Sequence, residues 1–168
     1  MSRAGGVCYS SATMRRKTKS AEVGDASRLS VGVVVSKYNA DITDGLLAGA
    51  LETLRAWNVK EKNIRVVRVP GSFEIPFGCL TLLSGKKKPD AVIALGCIVK
   101  GETEHDRYIA SAVSSGIVNL TIAYKTPISF GVLTTNNLAQ ARIRSRGNDN
   151  KGSEAAAAAL ESALLARS

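Results

Sequence analysis

The chain has 168 residues, 45% of them apolar, enough for one domain with a proper core and too few for two comfortable ones. No apolar run approaches the roughly 20 residues of a membrane-spanning helix, the first residues lack the apolar core of a secretory signal, and three cysteines (Cys8, Cys79, Cys97) without CxxC spacing argue against a disulfide framework or a zinc site. The net charge of +9 invites a nucleic-acid reading, but residues 1–28 carry +4 of it, and the scarce aromatics do not interleave with the basic residues as a stacking platform would need.

Residues 1–28 are rich in Ser, Ala, Gly and Arg without apolar periodicity, so a disordered basic extension is expected there, with an organelle transit peptide as the alternative. Residues 29–168 read as a single domain, expected in the reducing cytoplasm unless the leader directs import. Residues 31–35 are a continuous β-branched run, the pattern of a strand buried on both faces. Asp41 or Thr43 then caps a helix with apolar positions Leu47, Ala50, Leu51, Leu54 and Trp57 at helical spacing. Residues 64–69 form a second strand, Pro70-Gly71 turns the chain, and residues 72–76 open a helix to about Leu83. Pro76 is tolerated in that first turn because the N–H it lacks would have no intrahelical partner. Lys86-Lys87-Lys88 reads as a solvated loop. A third strand over residues 91–96 leads through a Gly-containing junction into a helix reaching about Asn119. A fourth strand (128–134), a short helix (137–143), a polar kink (144–152) and an Ala-rich helix (154–166) follow. Strands alternating with helices predict one α/β layered sandwich on a parallel sheet.

In open parallel sheets ligands sit beyond the carboxyl ends of the strands. That rule selects Tyr38 and Asn39 after the first strand, and Gly71, Ser72, Phe73 and Glu74 after the second. It selects Lys100 to His105 after the third, and Thr134, Thr135 and Asn136 after the fourth. The junction Gly96-Cys97-Ile98-Val99-Lys100-Gly101-Glu102-Thr103-Glu104-His105 offers free N–H groups and the positive end of a helix dipole to an anion. The sole histidine, expected one turn into the helix, exchanges protons near neutral pH. Two aromatics, a carboxylate, a histidine and an anion-binding helix start suit a planar, hydrogen-bonding ring with a phosphate nearby. Bland readings stand beside each: Tyr38 as cover for the sheet edge, Glu74 as a dipole partner, Arg144 and Arg146 as solvated surface. One histidine and scattered carboxylates fall short of a metal-ligand set.

Five linked motifs, Tyr38-Asn39, residues 69–76, residues 96–105, Phe130-Gly131-Val132-Leu133-Thr134 and Asn150-Lys151-Gly152-Ser153-Glu154-Ala155-Ala156, resemble the lumazine synthase (6,7-dimethyl-8-ribityllumazine synthase) family. The match runs in order from about residue 29 to 166. The resemblance implies a flavodoxin-like three-layer α/β/α sandwich, a four-stranded parallel sheet with helices on both faces. It also implies a transferase of riboflavin biosynthesis that condenses 5-amino-6-(D-ribitylamino)uracil with 3,4-dihydroxy-2-butanone 4-phosphate, losing phosphate and water, without metal or organic cofactor.

By that resemblance Tyr38 stacks on the pyrimidine with Asn39 beside it. Gly71, Ser72, Phe73 and Glu74 hold the ribityl chain and ring, and Cys97, Ile98 and Val99 line the pocket. Lys100, Gly101, Glu102 and Thr103 cradle the phosphate, and Arg144 clamps it. His105 shuttles protons, Phe130 arrives from a neighbouring subunit, and Lys151 lies near the site. The chain departs from the family pattern in having Tyr38 where Phe or Trp is usual, and Asp106-Arg107 after the histidine. Asp106 either orients the imidazole or faces solvent. The kink is about one residue tighter than the pattern, so Arg144 and Arg146 compete for the phosphate role. The family forms pentamers, many of which pack by twelve into an icosahedral shell; a short kink is the shell-forming type, and riboflavin synthase is a further expected partner. A non-catalytic flavin- or lumazine-binding or shell-forming relative is the competing function.

Overall fold

The computed structural model describes residues 24–168. Among the described residues four strands each lead into a helix, and a fifth helix ends the series: β1 (Val31–Ser36), α1 (Ala40–Ala56), β2 (Ile64–Val69), α2 (Ile75–Leu83), β3 (Ala91–Val99), α3 (His105–Tyr124), β4 (Ile128–Thr135), α4 (Leu138–Arg144) and α5 (Lys151–Leu165). Short 3-10 turns at Glu61–Asn63, Ser72–Glu74 and Gly147–Asp149 precede β2, α2 and α5. The strands pair in the order β2-β1-β3-β4, all parallel. This is the expected three-layer α/β/α, flavodoxin-like arrangement.

The unbroken apolar runs of β1 and β3 place them in the middle, buried on both faces. On one face α1, α4 and α5 pack through Leu46, Leu54, Ala141 and Leu160; on the other α2 and α3 pack through Ile75, Cys79, Val113 and Ile117. β2 takes an edge, where exposed Arg65 and Arg68 guard against strand addition. Lys88 of the basic run donates from Nζ to the Tyr124 carbonyl (2.6 Å), at a helix C-terminus where a cation is favoured. No helix among the described residues is long and apolar enough to cross a membrane.

Several expected boundaries move. Residues 24–28 belong to the packed body: Ala26 is fully buried and its N–H donates to the Trp57 carbonyl (2.8 Å). The expected extension, residues 1–28, thus overlaps the packed body at residues 24–28, and residues 1–23 lie outside the described residues. Trp57 ends the α1 stripe as a core residue. α1 starts before Asp41 and Thr43, with Asn39 as its N-cap in the left-handed conformation (φ 58°); Asp41 falls in the first turn, and the Thr43 hydroxyl is buried with no partner among the described residues. β3 runs three residues beyond Gly96, because β4 stays in register with it to Val99↔Thr135. α3 continues past Asn119 to Tyr124.

α5 begins at Lys151 rather than Glu154 because Asn150 caps it, its Oδ1 accepting from the Gly152 N–H (2.8 Å). Asn150 is buried, and its Nδ2 also donates to the carbonyls of Gly45 (2.8 Å) and Ser145 (2.9 Å). The polar kink is thereby clamped onto α1. The approach needs glycine: a Cβ at Gly152 would lie 1.9 Å from the Leu46 carbonyl oxygen, and one at Gly49 would lie 2.4 Å from Asn150 Nδ2.

Candidate active site

The loops after β1 and β2 are tied by their backbones. The Lys37 N–H donates to Val69 O (2.8 Å) and the Tyr38 N–H to Pro70 O (3.1 Å). Asn39 then reverses the chain into α1 and donates from Nδ2 to Cys97 O on β3 (3.1 Å). Three strand ends are thus drawn together, and the Tyr38 ring is left 70% exposed at their rim. After β2, Glu74 Oε2 accepts from the Gly71 N–H (2.9 Å), so this carboxylate helps to close the turn before α2. Ser72 is buried, and its hydroxyl has no partner among the described residues. Gly96 lets Ser72 lie against β3, since a Cβ there would come within 2.8 Å of both Ser72 Oγ and Ile75 Cδ1.

Burial, reinforced by the Asp41 carboxylate, pushes the Cys97 thiol up to about 11 against the opposing pull of Asn39. That shift favours the neutral thiol at neutral pH, and Cys97 lines the pocket.

Beyond β3 the chain loops through residues 100–104 before α3 begins. His105 is the first residue of that helix, not one turn inside it, and its N–H reaches Thr103 Oγ1 (3.4 Å). The first-turn N–H groups of α3, that of His105 among them, therefore lie at this helix start, a place that favours negative charge. Lys100 donates its backbone N–H to Thr135 O (2.8 Å) and lines the cavity. An added Cβ at Gly101 meets nothing within 4 Å, so the backbone there is open to close approach. Glu104 pairs with Arg107 (2.9 Å), which takes both from the site.

Ten of the expected residues line one cavity of about 510 Å³: Tyr38, Asn39, Ser72, Cys97 to Gly101, Thr103 and His105. Gly71, Phe73, Glu74 and Glu102 do not line it. Asp106, Ile109 and Leu138 do; Ile109 and Leu138 are not among the expected site residues. Ile109 follows His105 by four residues and so shares its helix face, while Leu138 opens α4 just past the end of β4. Asp106 was noticed without a place; it faces the cavity next to His105 and has no ion pair among the described residues.

Phe130, Arg144 and Lys151 lie elsewhere. They border a second depression of about 620 Å³ between β4 and α5. Phe130 is exposed there, Arg144 Nη1 donates to Gln140 O (2.9 Å), and Lys151 pairs with Glu154. Arg146 is exposed at the start of the 3-10 turn and lines neither depression. Within one chain the residues expected around the ring and the expected phosphate clamp do not meet.

An aromatic rim, a buried hydroxyl and a helix start carrying a histidine, all at the strand ends of a parallel sheet, mark a strand-end pocket in an open α/β protein. The family model described as 6,7-dimethyl-8-ribityllumazine synthase matches residues 28–167, and the chain belongs to that family. Curated relatives of the same description include those of Parabacteroides distasonis, 47% identical over 140 residues (83% of this chain, 87% of the relative), and Phocaeicola vulgatus, 42% identical over 140 residues (83% of each). The relative from Buchnera aphidicola subsp. Baizongia pistaciae is 43% identical over 141 residues (83% of this chain, 88% of the relative).

Proposed function

We infer that the chain condenses 5-amino-6-(D-ribitylamino)uracil with 3,4-dihydroxy-2-butanone 4-phosphate to 6,7-dimethyl-8-ribityllumazine, as a transferase of riboflavin biosynthesis. The carrying observation is the single cavity that holds Tyr38, the unpartnered Ser72 hydroxyl and the His105 end of α3. Tyr38 offers a face to the pyrimidine, and Ser72 offers a hydrogen bond otherwise left unmade in a buried place. The α3 N-terminus, Thr103 and the Lys100 ammonium receive the phosphate. The ring amine attacks the ketone, water leaves as the imine forms, phosphate is eliminated, and ring closure expels a second water. Each step moves a proton, and His105 is the cavity side chain suited to carry it near neutral pH. Holding both reactants in one pocket supplies much of the remaining acceleration.

The reaction is completed, in this reading, by a second copy. Phe130, Arg144 and Lys151 face away from their own cavity, so they serve the cavity of a neighbour in a pentamer. Exposed Phe73, Phe77, Tyr108, Val118 and Ile122 supply the apolar area such contacts bury. The short kink favours twelve pentamers in an icosahedral shell, and riboflavin synthase, which takes up the lumazine, is the proposed macromolecular partner. A cytoplasmic location is proposed with it, in keeping with the two free buried thiols Cys79 and Cys97; import by the basic leader is the competing arrangement, and cell fractionation decides.

The test mixes purified protein with both substrates and follows lumazine absorbance against an enzyme-free control. Acceleration saturable in both substrates is expected. A folded, assembled protein that leaves the spontaneous rate unchanged overturns the reading. Sedimentation of the same sample separates pentamer from shell.

A further inference from the structure

β1 and β3 part company near the site. Their register ends at Val35↔Leu95, while β3 continues to Val99 against β4 alone. Beyond Leu95 the β1 side of β3 has lost its strand, and its carbonyls need another donor. Asn39 Nδ2 supplies one to Cys97 O at 3.1 Å. The same residue occupies the left-handed region (φ 58°, ψ 48°), which few side chains other than asparagine enter cheaply. Its carbonyl accepts from the Ile42 and Thr43 N–H groups (2.9 and 3.0 Å) and starts α1. Tyr38, directly before it, is 70% exposed, and its backbone N–H is tied to the Pro70 carbonyl (3.1 Å).

From this geometry we propose that Asn39 is a positioning residue. It acts on the ring substrate through Tyr38, by combining a left-handed joint with a tie to the β3 wall, and not by touching the substrate. The inference rests on the proposed function and names how that site is held in readiness. Substitution separates its two parts. Asn39→Gly keeps the joint and loses the tie. Asn39→Asp keeps the joint and the shape, and has no donor for the Cys97 carbonyl.

The experiment is a double-mutant cycle of Asn39→Gly with Tyr38→Ala, with Asn39→Asp alongside. It reads kcat, the KM for each substrate, and equilibrium binding of 6,7-dimethyl-8-ribityllumazine followed by its fluorescence. Asn39→Gly is expected to weaken lumazine binding and raise the KM for the pyrimidine about tenfold, leave the KM for the phosphorylated substrate unchanged, and have no further effect once Tyr38 is alanine. Asn39→Asp should match Asn39→Gly. Additive effects in the cycle mean that Asn39 meets the ring itself and overturn the inference. So do an Asn39→Asp variant that behaves as wild type, or equal rises in both KM values. A wild type that neither binds the lumazine nor turns over removes the proposed function and the inference together. Turnover with an additive cycle removes the inference alone.

Discussion

The cavity face and the β4–α5 face carry comparable sets of site residues, yet they are held in different ways. Around the cavity the ties join separate elements: Lys37 and Tyr38 to the end of β2, Asn39 to β3, and Lys100 to β4. On the β4–α5 face each polar group is held within its own helix, Arg144 by Gln140 and Lys151 by Glu154, while Phe130 is exposed. One set is tied together by the fold of a single chain. The other borders a separate depression. The difference teaches that one chain holds the two groups of expected site residues without placing them against each other.

Chemistry and phosphate binding should therefore fail separately. The largest effect is expected for His105→Ala. Loss of a general acid–base group should lower kcat by about 100-fold or more, with small changes in either KM, as steady-state kinetics would read it. An unchanged kcat would remove the histidine from the mechanism. Arg144→Ala should raise the KM for the phosphorylated substrate by about 10- to 100-fold, the size of one charge-assisted hydrogen bond, and leave the pyrimidine KM near wild type. Mixing the two variants, assayed with the phosphorylated substrate well below the KM of Arg144→Ala, sharpens the contrast. If sites are shared between copies, reassembly of an equal mixture should restore about a quarter of the sites. No recovery from mixed, reassembled particles would mean that each chain uses its own Arg144.

The same contrast explains what could be read from sequence. The strand-end rule found the cavity from local signals: β-branched runs for the strands, a Gly-containing junction before a helical stripe, and a lone histidine. It could not tell that Phe130, Arg144 and Lys151 border a different depression, because a motif gives residue type and spacing but not which side of the sheet edge a side chain meets. The helix starts were misplaced for a related reason. Asp41 and Glu154 carry ordinary first-turn signals, whereas the actual caps, Asn39 and Asn150, depend on contacts with β3 and α1 that are distant in sequence. His105 was set a turn too deep because the strand before it ends at Val99, a point fixed by pairing with β4.

The kink joins the two faces, and Gly152 is its tightest point. An added methyl at Gly152 collides with the Leu46 backbone, and its relief must move α5 away from α1. Gly152→Ala should cost about 1–3 kcal/mol of stability and raise the KM for the phosphorylated substrate more than that for the pyrimidine. Denaturant titration with kinetics on the same sample checks both. An equal loss for both substrates would mean that the kink supports the whole fold and not one face.

The smallest effect belongs to a cluster near the opposite ends of the strands, and it serves as the control for the others. Asp90 Oδ2 accepts from the Ser30 N–H (2.7 Å) and hydroxyl (2.9 Å), and Oδ1 pairs with Arg167 (2.6 Å). Partial burial alone would raise the Asp90 carboxyl, but these donors outweigh it and hold the group below the usual carboxylate range. A carboxyl depressed in the folded state contributes its stability above the unfolded value, about 3.9. That contribution is lost as pH falls through the lower folded value. Asp90→Asn should therefore be less stable than wild type by about 1 kcal/mol at neutral pH, with the gap closing as the solution is acidified below about pH 4. Thermal melts at several pH values would show this, and a gap that persists into acid would mean the carboxylate charge is not its source. Neither KM should move, because Asp90 borders neither depression. A kinetic change in Asp90→Asn would show that the two faces are not energetically separate from the opposite end of the sheet, and the separation inferred from His105 and Arg144 would have to be read through the whole domain.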